Sequence, residues 1–176
     1  MEESQKKTSF TVIGSVIVFL LQVILAPNIA ILDVVPNFFL VFIVLNSMVT
    51  SRTRASVTGF ILGLLYDFIS QGALGIMAFV FSVISYSVSS LNKDLFSDSW
   101  ISQAFFLLLA AFFGELLNSV FLSILGYDRN FLISLGMRVL PGSIYDALFG
   151  LIVFPIMARQ KSDKKKKQGA LKGRFS

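Results

Sequence analysis

Six apolar runs, parted only by short turns, leave this chain one kind of environment to fold in. They fall near residues 8–25, 37–49, 55–70, 73–91, 100–125 and 143–158. Most are long enough to cross the hydrocarbon core of a bilayer as helices. The second is short for a span, so it stands untilted or begins inside the turn at Pro36. Only 14% of the 176 residues are charged and the mean hydropathy is +0.80; soluble domains average about 25% charged residues. The expected fold is an all-α membrane protein, about six transmembrane helices in one bundle over residues 1–158, followed by a basic tail at 159–176. The first run follows Lys6 and Lys7 but lacks a small-x-small cleavage site, so it reads as an uncleaved signal anchor.

Residues 55–75 carry the densest pattern. Ala55, Gly59 and Gly63 recur every four residues and form one small-residue stripe on a helix, with Asp67 as its next step. Small residues mark close backbone approach in lipid, and an acid on that face points into protein. The reading is that the other helices pack around this one. Gln71 and Gly72 break it, and Gly75 opens a seam continued by Ala78, Ser82, Ser85 and Ser89. The fifth run has a similar stripe of Ala110, Gly114 and Asn118, with Glu115 beside it. Ala55, Gly59, Gly63, Gly75 and Gly114 are thus the expected helix-packing residues. Between residues 126 and 142 the apolar positions Phe131, Leu132, Leu135 and Val139 predict a short interfacial helix, with Arg129 and Arg138 as its cations.

Charge sets the orientation. Eight of the fifteen Lys and Arg lie from Arg159 onward. With six spans, Lys6, Lys7, Arg52, Arg54, Lys93 and that tail share one side, thirteen cations in all, against Arg129 and Arg138 on the other. The positive-inside rule places both termini in the cytoplasm. A polybasic tail suits an anionic lipid surface better than nucleic acid. The chain has no Cys and no His. Disulfides, thiol chemistry, haem, His- or Cys-ligated metals and His-dependent acid–base catalysis are therefore excluded. No cofactor or catalytic residue is expected.

Three acids lie within spans: Asp67, Glu115 and Asp146, all in the outer half of that topology. With Asn118 and Arg138 they are the candidate polar or partner-contact residues. Two readings stand: a polar site for a ligand or partner, or acids that fix packing by pairing with a neighbouring Arg, Ser or backbone amide. Tyr-Asp occurs twice, at Tyr66-Asp67 and Tyr145-Asp146, a faint internal repeat. Two acids in lipid also raise the question of an intramembrane aspartyl protease. Asp67 follows Gly63-Leu-Leu-Tyr rather than the Gly-x-Gly-Asp that such an enzyme needs.

The chain resembles the MreD family of the bacterial rod-shape system, or elongasome. The residues that carry the likeness are Pro36-Asn37-Phe38-Phe39-Leu40-Val41 at the start of the second run, Gly59 to Asp67 followed by Leu74-Gly75, the last span with Pro155, and the short basic tail. The resemblance implies a non-catalytic membrane scaffold that binds MreC and associates with MreB filaments, RodA and a class B penicillin-binding protein. It carries over no catalytic residue. A second resemblance, at the level of length and Gly-rich helices, is to the substrate-binding S-components of energy-coupling-factor vitamin transporters. That likeness implies an outward pocket lined by the outer acids, Tyr66 and Tyr145.

Overall fold

The computed structural model describes residues 2–31, 34–70, 74–95, 100–126 and 130–152. The described chain is helical, with one isolated antiparallel bridge between Ile31 and Val34. The basic tail, Asp33, Arg129, Pro155 and the Gln71-Gly72 break lie outside the described residues.

Helix α1 spans Glu2–Leu20 and runs on through a π turn at Leu21–Leu25 and a 3-10 turn at Ala26–Ile29. Pro27 lies at the start of that last turn, where its missing N–H costs nothing. Then come α2 at Phe38–Ser47, α3 at Arg52–Ser70, α4 at Ile76–Leu95 and α5 at Trp100–Ile124. The last helix, α6, covers Phe131–Ile152, with a π turn at Leu135–Val139. Among the described residues, three segments are long and apolar enough to cross a membrane: Thr11–Ile29, Leu107–Ile124 and Phe131–Ile152. Phe38–Ser47 and Ile76–Leu91 are shorter apolar helices.

The bundle is organised around α2, which corrects the expectation that the 55–75 stretch is its centre. All ten residues of α2 are buried, and α1, α3, α4 and α5 lie against it. α3 buries only Ala55, Gly59, Leu62, Gly63 and Asp67, and turns Val57, Phe60, Ile61 and Phe68 outward. A helix that is apolar all round belongs inside a protein or against lipid on every side; α2 takes the first course. Aromatic edges fix it in place. Phe39 meets Phe19 and Tyr66 edge-on at 6.4 and 5.9 Å, and Phe38 meets Phe149 at 5.0 Å. Glycines on the surrounding helices make room for its side chains. A Cβ on Gly14 would lie 2.6 Å from the Phe42 ring, and one on Gly114 would lie 2.8 Å from Leu40 Cδ1.

α3 and α4 form the closest helix pair. A Cβ on Gly59 would sit 2.5 Å from the Phe81 carbonyl oxygen, and one on Gly63 would sit 2.6 Å from the Ala78 nitrogen. Neither backbone group can move aside. The hydroxyls of Ser56 and Ser82 bond across the seam at 2.7 Å, and Ser89 Oγ donates to the Thr50 carbonyl at 2.8 Å. Ala55 is buried one turn before Gly59.

Gly75 belongs to a turn and not to this packing seam. Nothing lies within 4 Å of the place its Cβ would occupy, and its φ of +96° is the left-handed region that side chains disfavour. The separate interfacial helix expected between residues 126 and 142 is also absent from the described chain. Phe131 continues without a break into the last helix. Pro141 cannot donate to the carbonyl four residues earlier. The π turn directly before it shifts the hydrogen-bonding frame by one residue and carries the helix past the proline.

Candidate functional site

The start of α2 sets a problem that the rest of the site answers. The first backbone N–H groups of a helix have no partner within it, and here they lie in the bundle interior, away from water. Three side chains from three segments accept from the N–H groups here, and a fourth holds the cap itself. Asn37 caps the helix, its Oδ1 accepting from the Leu40 N–H at 3.0 Å. Gln22, the buried residue of the first π turn, accepts from the Phe38 N–H at 2.8 Å and donates back to the Pro36 carbonyl at 3.1 Å. Asp146 Oδ1, from α6, accepts from the Asn37 N–H at 2.6 Å. Glu115 Oε1, from α5, accepts from the Asn37 side-chain amide at 3.3 Å. Two carboxylates at a helix N-terminus also meet the positive end of its dipole. Nearby, Tyr145 donates its hydroxyl to the Ile29 carbonyl at 2.6 Å.

Asp67 does the same work for a different helix. Its Oδ2 accepts from the N–H groups of Gly75 and Ala78 at 2.8 and 3.3 Å, and its Oδ1 accepts from Met77 at 3.2 Å. An acid on α3 thus closes the N-terminus of α4. The two Tyr-Asp pairs end on equivalent tasks, since Asp67 and Asp146 each bond to amides at the start of another helix. They do not share a site, and Arg138 forms no ion pair with either among the described residues.

Above this capped end lies a cavity of about 240 Å³. Gln22, Tyr66, Glu115, Asn118 and Arg138 supply its polar lining. Val34, Val35 and Ile69 supply apolar wall. Glu115, Asn118 and Arg138 therefore meet in one place. Asp146 lies one residue removed, joined to Glu115 through Asn37, with its Oδ2 buried and unpaired. Asp67 faces the α4 amides instead. Both π turns contribute to the cavity, through Gln22 and Arg138. Such turns widen a helix locally and often mark functional positions.

Two members were not singled out from the sequence as site residues. Gln22 is the lone amide in an otherwise apolar run, a signal that was present. Asn37 follows a proline and precedes ten helical residues, which is the composition of an N-cap. Among the described residues, no cluster of three or more acidic, His or Cys side chains could hold a metal ion. What the arrangement can do is tie helices together and present one carboxylate, one guanidinium, two amides and a phenol to a small, partly open volume.

Among curated proteins, and among solved structures, none matches the chain. The family model of the rod shape-determining protein MreD matches it over residues 4–159. That stretch takes in all the caps, the cavity and the α3–α4 seam, and the chain belongs to the MreD family of rod shape-determining proteins.

Proposed function

We propose that this chain is a non-catalytic membrane scaffold of the elongasome, spanning the membrane six times with both termini in the cytoplasm. In this reading it binds MreC within the membrane and at the outer ends of its helices. It helps to couple MreB filaments to peptidoglycan synthesis by RodA and a class B penicillin-binding protein, with the basic tail on the cytoplasmic lipid face. The family match over residues 4–159 carries the proposal. The use of the intramembrane acids supports it: Asp67, Asp146 and Glu115 are all bonded to the starts of neighbouring helices or their caps. Carboxylates held in that way tie neighbouring helices into one bundle. The thirteen-to-two split of cations supports the orientation, and in that orientation the capped end is the outer one.

Depletion from a rod-shaped host is the test. The proposal expects cells to round up and wall synthesis to disperse, with rescue by the full chain. One observation favours a second reading, a substrate-binding membrane component of a vitamin transporter: the outer cavity with Tyr66, Glu115, Asn118 and Arg138. Rods that keep their shape on depletion but lose uptake of a nutrient would establish that alternative and remove the first.

A further inference from the structure

The polar cavity has a neighbour. An apolar groove of about 570 Å³ runs along the other side of α6, lined by Ile31, Met137, Pro141, Ile144 and Leu148. Val34 lines both the groove and the cavity. Successive residues of the second π turn are divided between them, with Met137 facing the groove and Arg138 the cavity. A polar chamber and an apolar channel thus meet at one side chain and one helix, at an end of a bundle built for lipid.

The charges narrow the occupant. Arg138 forms no ion pair among the described residues. Glu115 uses Oε1 on Asn37, which leaves Oε2 to the cavity. The Tyr66 hydroxyl and the Asn118 amide make no hydrogen bond among the described residues and also line the chamber. A simple anion would meet Arg138 but oppose Glu115, and a simple cation would do the reverse. A zwitterion satisfies both. Phosphate oxygens match the planar fork of a guanidinium, and a primary ammonium donates to a carboxylate and an amide oxygen. The groove then takes an acyl chain.

We propose that this end of the molecule binds a zwitterionic phospholipid. Its phosphate rests on Arg138, its ammonium on Glu115 and Asn118, and one acyl chain lies in the groove between Val34 and α6. This goes beyond the scaffold reading and does not depend on the identity of any protein partner.

The test uses the full chain, purified in a neutral, phosphorus-free detergent. Native mass spectrometry reads retention of three probes: phosphatidylethanolamine, phosphatidylglycerol and chain-free glycerophosphoethanolamine. The proposal expects phosphatidylethanolamine to be retained about tenfold more tightly than phosphatidylglycerol, the scale of one charge-assisted hydrogen bond. It expects the chain-free headgroup to be lost. Arg138→Gln should weaken retention about tenfold, and Glu115→Gln should erase the preference for phosphatidylethanolamine. Arg138 is exposed and makes no hydrogen bond to the caps among the described residues, so its variant decides the matter even if Glu115→Gln unfolds. Three results would each overturn the proposal: equal retention of the two lipids, unchanged retention by Arg138→Gln, or binding of the free headgroup as tight as that of the lipid.

Discussion

Replacing Asp67 tests the idea that the buried acids here close helices. The carboxylate accepts three N–H bonds, from Gly75, Met77 and Ala78. Asp67 itself is only 3% exposed. In Asp67→Ala the three donors lose their acceptor together. A net hydrogen bond contributes about 0.5–1.5 kcal/mol, and more to a charged group. The sum is about 2–5 kcal/mol, with the lower part of the range favoured because water can reach Gly75 at the turn. Asp67→Asn separates the two oxygens. Its one remaining carbonyl can keep the Met77 bond or the Oδ2 pair, while its amide group presents donors to donors, so it should cost about 1–3 kcal/mol. Circular dichroism during unfolding in mixed micelles measures both, with lowered membrane accumulation as a second readout. The expected order is wild type above Asn above Ala. If Asp67→Ala unfolded within about 0.5 kcal/mol of wild type, the acid would not be a structural cap and the reasoning would fail.

Gly63→Leu must push its side chain into the Ala78 and Met77 backbone, so it should cost at least about 1–3 kcal/mol. Ile61→Leu, at a position 53% exposed, should leave thermal unfolding in detergent unchanged. Asp146→Asn can keep the Asn37 bond through its carbonyl, because Oδ2 has no partner. It should therefore be mild, while Asp146→Ala should lower stability by about 1–3 kcal/mol in the same assay. For topology, the chain has no native cysteine. Asn130→Cys should label from outside intact cells and Ser51→Cys only after permeabilisation; the reverse would refute the six-span arrangement.

The helices themselves were legible, because apolar runs divided by Pro, Gly and charged turns have few other solutions. So was the start of α2 at Pro36-Asn37. The central place of α2 was not. In a membrane protein both the core and the lipid-facing surface are apolar, so hydropathy does not separate a helix buried on all sides from one that lines the rim. The glycines of 55–75 show where two backbones meet, and α3 does meet α4 there, but that is a property of a pair and not of the whole bundle. Gly75 was misread for a related reason: a glycine needed for positive φ and a glycine needed for close packing look the same in a sequence. The positions of Asp67 and Asp146 near helix ends could be read directly. Their partners could not, because backbone amides carry no sequence signature, and those of Gly75, Met77 and Ala78 lie eight to eleven residues beyond Asp67. The π turns left no compositional trace either, so the stretch from 126 to 142 read as a connection with a short interfacial helix of its own. The grouping of Glu115, Asn118 and Arg138 was expected only in outline. Gln22 completes it from a helix more than ninety positions away in the chain.

The claim that this protein holds a shape-determining assembly together is tested most directly by co-purification. The tagged full chain is extracted in mild detergent from a rod-shaped host, and the eluate is quantified for MreC. MreC is expected in at least one-to-one ratio with the chain, retained through size exclusion. A chain that elutes alone under conditions that keep it folded, from cells whose shape does not depend on it, would show that it holds no such assembly together.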